Sequence, residues 1–168
     1  MNESGKEYIR INSSGLKIII LSVIIVIVSL TVWGFVGKLP VTKTYKSLVC
    51  KDTVQDGEKT FVYCFLNTDE YGLSDLEKIK KEVVIKMPNH EEFVGSIREK
   101  LDYPITREKL KDLFNKNDKI LNKCIDDGYY YTLIINTDED ISQYDSMILD
   151  VTLEVDEKAP IYFLRGNN

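Results

Sequence analysis

The chain has 168 residues, 43% of them hydrophobic and 29% charged, with a net charge of −5. That length allows one globular domain plus an additional segment. Residues 1–46 carry six Lys or Arg against Glu3 and Glu7, while residues 47–168 carry sixteen against twenty-five Asp or Glu. The larger part is therefore acidic, which excludes the basic footprint of a nucleic-acid-binding surface.

A short tail, residues 1–15, holds Lys6 and Arg10 and is expected to be cytoplasmic. Ile18–Val36 then runs nineteen residues without a charge or proline, its polar content limited to Ser22, Ser29 and Thr31. A helix of that length reaches about 28 Å, close to the roughly 30 Å hydrocarbon core of a bilayer. A soluble amphipathic helix would show a polar stripe about every 3.6 residues, and none is present. Residues 16–37 are therefore expected to form a transmembrane helix, bracketed by Lys17 and Lys38, with Trp33 and Phe35 suited to an interfacial aromatic belt. The run exceeds the apolar region of a signal peptide and no alanine precedes Ala159, although Val32 and Gly34 weakly satisfy a cleavage rule. An uncleaved anchor is the expectation. Lys6, Arg10 and Lys17 precede the span and Lys38, Lys43, Lys46 and Lys51 follow it, so counting positive charges leaves its direction open. A short amino-terminal tail and a long carboxy-terminal domain are compatible with export of the domain. The expected location is the cell membrane, single-pass, with residues 38–168 outside the cytoplasm and basic residues facing anionic headgroups.

Beyond the span, Val41–Lys51 is rich in β-branched and aromatic residues and reads as a strand. Asp56-Gly57 signals a turn, and Thr60–Leu66 a second, largely buried strand. Ser74-Asp75-Leu76-Glu77 has the capping-box pattern and opens a helix to about Lys81. Glu82–Met87 is a third strand, stopped by Pro88-Asn89; Glu91–Leu101 is a fourth with a bend at Gly95, with a helix as the alternative. Tyr103-Pro104 should end that element. Thr106 can cap a helix to about Asn115 carrying Leu110, Leu113 and Phe114, and Asp118–Asp126 a second short one with Gly128 as its stop. Tyr129–Ile135 is the strongest strand, Asn136–Gln143 an acidic loop, Met147–Val155 an alternating strand and Ala159–Leu164 a last one. The fold class is α+β: one N-terminal transmembrane helix, then a small antiparallel β-barrel or sandwich with a short helical insert. Leu66-Asn67-Thr68-Asp69-Glu70 echoes Ile135-Asn136-Thr137-Asp138-Glu139, marking either equivalent barrel rims or two turns that use the same good turn residues.

Candidate chemistry is sparse. His90 is the sole histidine and reads as a turn residue rather than a catalyst. No G-x-S-x-G and no glycine-rich phosphate loop occurs. Asp138-Glu139-Asp140 offers oxygen ligands for calcium but lacks the twelve-residue loop, so a solvated turn is the stronger reading. Cys50, Cys64 and Cys124 form no zinc spacing. A Cys50–Cys64 disulfide needs paired strands with facing Cβ atoms, and buried thiols are the simpler expectation. Of Tyr129, Tyr130 and Tyr131, alternate members must point to opposite faces, so at least one should be exposed or buried against a partner. No cofactor and no enzymatic activity are expected.

Three places stand out in order and spacing: Trp33-Gly34-Phe35-Val36-Gly37-Lys38-Leu39-Pro40; Phe61–Val84; and Glu92–Ile97 with Tyr103–Thr106, Leu110–Leu121 and Tyr129–Ile135. Together they resemble the HlyD-like membrane fusion proteins, the adaptor subunits of bacterial ABC exporters, and most closely those of bacteriocin or peptide exporters. The first resembles the family's exit from its single span, the second the entry to its membrane-proximal barrel, and the third that barrel's second half. The chain departs from the family in having about ten residues, Lys51–Thr60, where members carry a coiled-coil hairpin and lipoyl-like half-motifs. The resemblance implies an accessory subunit of a peptide-exporting ABC transporter, partnered by the bilayer and the transporter's membrane subunit, with a homo-oligomer as a further expected assembly. Trp33, Gly34 and Gly37 are the expected docking residues, since small residues permit close helix approach. The alternative is a membrane-tethered binding or sensor domain, or an immunity-type protein, acting without a transporter.

Overall fold

In the computed structural model, which describes residues 13–54, 57–114 and 118–164, the apolar run forms one continuous helix, α1 (Ser13–Val36). Its segment Gly15–Val36 is 22 residues long with a mean hydropathy of 2.8, long and apolar enough to cross a membrane. The expected tail with Lys6 and Arg10 lies almost wholly outside the described residues. Ser22 and Thr31 donate their hydroxyls to the carbonyls of Ile18 (2.9 Å) and Ile27 (2.8 Å), so neither enters the apolar run unpaired. The chain divides into two compact units, one of residues 1–39 and 158–168, the other of residues 40–157.

The second unit is built on six antiparallel strands: β1 (Leu39–Val54), β2 (Gly57–Asn67), β3 (Glu82–Lys86), β4 (Glu92–Thr106), β5 (Tyr129–Thr137) and β6 (Ile148–Lys158). The coarse α+β expectation, an apolar helix followed by an antiparallel sheet, holds. Around the sheet the order is β1-β2-β5-β4-β3-β6, and the sheet closes as β6 meets β1. The seam carries Thr44 against Thr152 (2.9 Å between hydroxyls), Lys46 paired with Asp150 (2.5 Å), and backbone bonds between Val49 and the Ser146-Met147 segment. Val54 pairs with Gly57, and the rest of the expected Asp56-Gly57 turn lies outside the described residues.

Alternation along β2 sorts its side chains into two cores. Val62, Cys64 and Leu66 point inside with Val49, Ile85, Leu133, Ile135, Val151 and Leu153. Phe61, Tyr63 and Phe65 point outside, into a second apolar layer with Leu48, Cys50, Tyr130 and the helical insert. β2 is therefore buried on both faces, which explains its unbroken apolar sequence. The insert is α3 (Arg107–Phe114) and α4 (Asp118–Leu121), which contribute Leu110 and Leu121 to that outer layer. Thr106 caps α3 as expected, its hydroxyl accepting from the Lys109 amide (3.3 Å); the expected end near Asn115 lies outside the described residues.

Several local expectations are corrected. The helix after β2, α2 (Leu73–Lys78), starts at Gly72 rather than Ser74, because Asp75 accepts from the Gly72 amide (3.1 Å) and so sets the first turn two residues earlier. α4 stops at Leu121, not near Asp126; residues 122–124 form a turn, and the Tyr130 hydroxyl holds the Asp126 amide (2.9 Å). β4 does not end at Pro104 but continues to Thr106, since its pairing with β5 shifts between Leu101 and Ile105 and no ladder bond is asked of the proline. The pairing shifts of β4 lie beyond Gly95, and Gly95 is a close-approach site. A Cβ there would stand 2.8 Å from Ile85 Cδ1 and 3.1 Å from the Asn136 carbonyl oxygen. Ala159–Leu164 is not a strand but a short helix, α5 (Pro160–Leu164). Pro160 opens it at the first helical position, where a missing amide hydrogen is harmless and the ring presets φ. The echoed Asn-Thr-Asp-Glu segments follow antiparallel neighbours, so they sit at opposite ends of the sheet rather than on one rim. Asn67 holds the Asp69 amide in the first, and Thr137 the Glu139 amide in the second.

None of the three cysteines forms a disulfide, and Cys50 and Cys64 belong to opposite faces of the sheet, which excludes their pairing. Burial raises the Cys64 thiol from 9.0 to about 12 and Cys124 to about 11. A raised folded-state value means stability that is complete below pH 9 and lost as pH climbs toward 12. Urea midpoints of the full chain in detergent should therefore fall steadily across that window, less so in Cys64→Ala; a flat profile would contradict the burial. Gly95→Ala should destabilise the domain by about 1–3 kcal/mol in the same assay, as overpacking does.

Candidate functional site

The helical insert covers the outer face of β1, β2 and β5 incompletely. α3 buries Leu110, and Phe114 packs edge-on against Tyr63 (4.7 Å between ring centres) and Phe65 (5.8 Å). Leu113, one turn from Leu110 and expected on the same apolar side, is instead 64% exposed. Between α3 and the sheet lies a groove of about 380 Å³. Its wall is made by Leu113 and Phe114, its floor by Tyr63, Thr132 and Ile134, and its far side by Leu101 and Tyr103.

One side of the groove is shaped by an irregularity in β4. Leu101 pairs with Thr132 and Ile105 with Tyr130, so residues 102–104 bulge from the ladder. Bulges re-aim side chains and are frequent beside binding sites. Here the bulge places Tyr103, 56% exposed, at the groove's edge.

The polar groups of the groove are few. Tyr63 donates its hydroxyl to Asp52 Oδ2 (3.1 Å), and burial followed by the Asp52 charge raises that phenol well above its ordinary value. Lys51 stands beside Asp52 on the lining. Thr132 is 2% exposed, and among the described residues its Oγ1 has no hydrogen-bond partner. An unpaired buried hydroxyl costs about 1–3 kcal/mol, and this one lies beneath the groove, closed off from solvent.

The residues singled out from sequence fall elsewhere. Trp33 and Gly37 are brought together at the end of α1: the Gly37 amide donates to the Trp33 carbonyl (2.7 Å), and a Cβ on Gly37 would lie 2.5 Å from that oxygen. Gly34 does not take part, and a Cβ there would meet nothing within 4 Å. His90 occupies a left-handed turn position (φ 68°) between β3 and β4, its amide bonded to the Met87 carbonyl (3.0 Å). The Asp140 carboxylate accepts from the Ser142 hydroxyl and from the Ser142 amide (2.9 Å), which together lower its pKa. Among the described residues no cluster of three His, Cys, Asp or Glu could hold a metal ion. Of the tyrosine triplet, Tyr129 is exposed while Tyr130 and Tyr131 are buried in the outer and inner cores.

Sequence reasoning passed over the groove. Two signals were present: a threonine inside the apolar run Tyr129–Ile135, and a proline inside β4. Neither says that Leu113, Thr132 and Tyr103 converge. Compared with models of protein families, with curated proteins and with solved structures, the chain matches none.

Thr132→Val keeps the side-chain shape and removes the unpaired hydroxyl. It should raise stability by about 1 kcal/mol in chemical denaturation. A loss of stability would mean that the hydroxyl is already satisfied.

Proposed function

We propose that the protein is a single-pass membrane protein, amino terminus in the cytoplasm, whose β-domain is a non-catalytic binding module. Its groove takes an apolar side chain of an extended polypeptide. The observation that carries this reading is an open groove of about 380 Å³ beside the exposed side chains of Leu113 and Tyr103. Binding sites combine apolar walls with a few placed polar groups, and here Asp52 with the Tyr63 hydroxyl is such a group. Leu113 and Tyr103 supply exposed apolar surface, and Asp52 supplies a negative charge at the rim.

A second reading keeps the accessory role beside a peptide-exporting ABC transporter, as in HlyD-type adaptors. One feature favours it: six antiparallel strands ordered as a closed barrel directly after a single apolar helix. Because β1 and β2 join as a tight pair from Ser47–Cys64 to Val54–Gly57, that role would be confined to the membrane-proximal region. Trp33, Gly34 and Gly37 would then face the transporter's spans, with Gly34 as the position of closest helix approach.

A photo-crosslinking amino acid in place of Leu113, in the full chain in its native membrane, tests both. Polypeptide adducts should form at Leu113 and not at the exposed control position Val94. A transporter membrane subunit among them would favour the second reading. Equal labelling at both positions, or none at Leu113, would sink the groove as the binding site.

A further inference from the structure

We infer that α5 is a second membrane contact, lying in the headgroup region of the bilayer beside α1, so that the chain meets the membrane both before and after the β-domain. The inference rests on α1 being a membrane span, and three independent observations carry it.

The first is chemical. α5 reads Pro-Ile-Tyr-Phe-Leu, and Tyr162, Phe163 and Leu164 are 63%, 53% and 82% exposed. Three adjacent large apolar side chains facing outward suit a surface other than water. Tyrosine and phenylalanine beside basic residues are the composition of an interfacial anchor, and Lys158 and Arg165 flank this one in the sequence.

The second is packing. α5 belongs to the same compact unit as α1 rather than to the β-domain, and Cα atoms of the two helices come within 8 Å. α1 itself is exposed along its apolar length, with only 6% of its most apolar window buried. A 22-residue apolar helix left uncovered by the rest of the chain suits lipid, and α5 lies beside it.

The third is topology. β1 and β6 are antiparallel neighbours, tied by Thr44 to Thr152 and by Lys46 to Asp150. The start of β1 and the end of β6 are therefore at the same end of the sheet. The polypeptide enters and leaves the β-domain on adjacent strands, and Ala159–Leu164 follows directly on the second of them. At five residues α5 is about 7.5 Å long, too short to cross the bilayer and long enough to lie in its interface.

Trp33 is the sole tryptophan of the chain, which makes the test direct. The full-length protein is reconstituted in vesicles of phosphatidylcholine and phosphatidylglycerol carrying lipids brominated at shallow or deep acyl positions. Trp33 of the unaltered chain reports the span. In a Trp33→Phe background, Phe163→Trp reports α5, and Tyr162→Trp repeats the reading in case one substitution disturbs the helix. The expected result is blue-shifted emission from the α5 reporters, quenched more by shallow than by deep bromines. Water-like, unquenched emission from both α5 reporters, with Trp33 quenched, would overturn the second contact and leave the span intact. An unquenched Trp33 would overturn the span, and the inference with it.

Discussion

A strand whose successive side chains are all apolar has no face to give to water, and Phe61–Leu66 in β2 is such a strand. Half of it completes the interior of the closed sheet, with Val62, Cys64 and Leu66 fully buried. The other half, Phe61, Tyr63 and Phe65, obliges the protein to build a second layer outside the sheet. At about 25 cal/mol per Å² of apolar surface, leaving three aromatic side chains in water would forfeit several kcal/mol. The insert between β4 and β5 supplies the cover, and Arg107 pins its start by bonds to Asn122 and Asp127.

That cover is incomplete, and its shortfall makes the groove. Leu110 and Phe114 close over β2, while Leu113 turns away from the layer that they build. The β4 bulge withdraws three residues from the ladder at the same level and leaves the Thr132 hydroxyl unpaired among the described residues. The proposed binding role is thus a by-product of how β2 is buried. The sheet supplies the rigid support that a binding site needs, and α3 supplies the side chains that adapt.

The long apolar helix, the antiparallel strands and the capped α3 were legible because each has a strong local signature: length without charge, alternation, and a threonine ahead of an amphipathic turn. The errors share a cause as well. Ala159–Leu164 is apolar and short, so periodicity does not distinguish strand from helix, and the outcome rests on Pro160 at a helix start and on α1 nearby. Pro104 reads as a terminator locally, yet the pairing shift around it lets β4 continue. Gly95 suggested a bend, whereas the reason for glycine is the approach of Ile85 and Ile135 from neighbouring strands. The groove assembles Leu113, Thr132 and Tyr103 from three separate elements, and no spacing along the chain encodes that meeting.

Hydrogen exchange of the full chain in lipid nanodiscs addresses the two-sided burial of β2 most directly, because amide protection reports the free energy of opening each element. Phe61–Leu66 should exchange slowest in the β-domain, opening only with global unfolding, while α3 exchanges faster through local opening of the outer layer. Exchange of Phe61–Leu66 as fast as that of α3 would contradict the two-core account and the groove that depends on it.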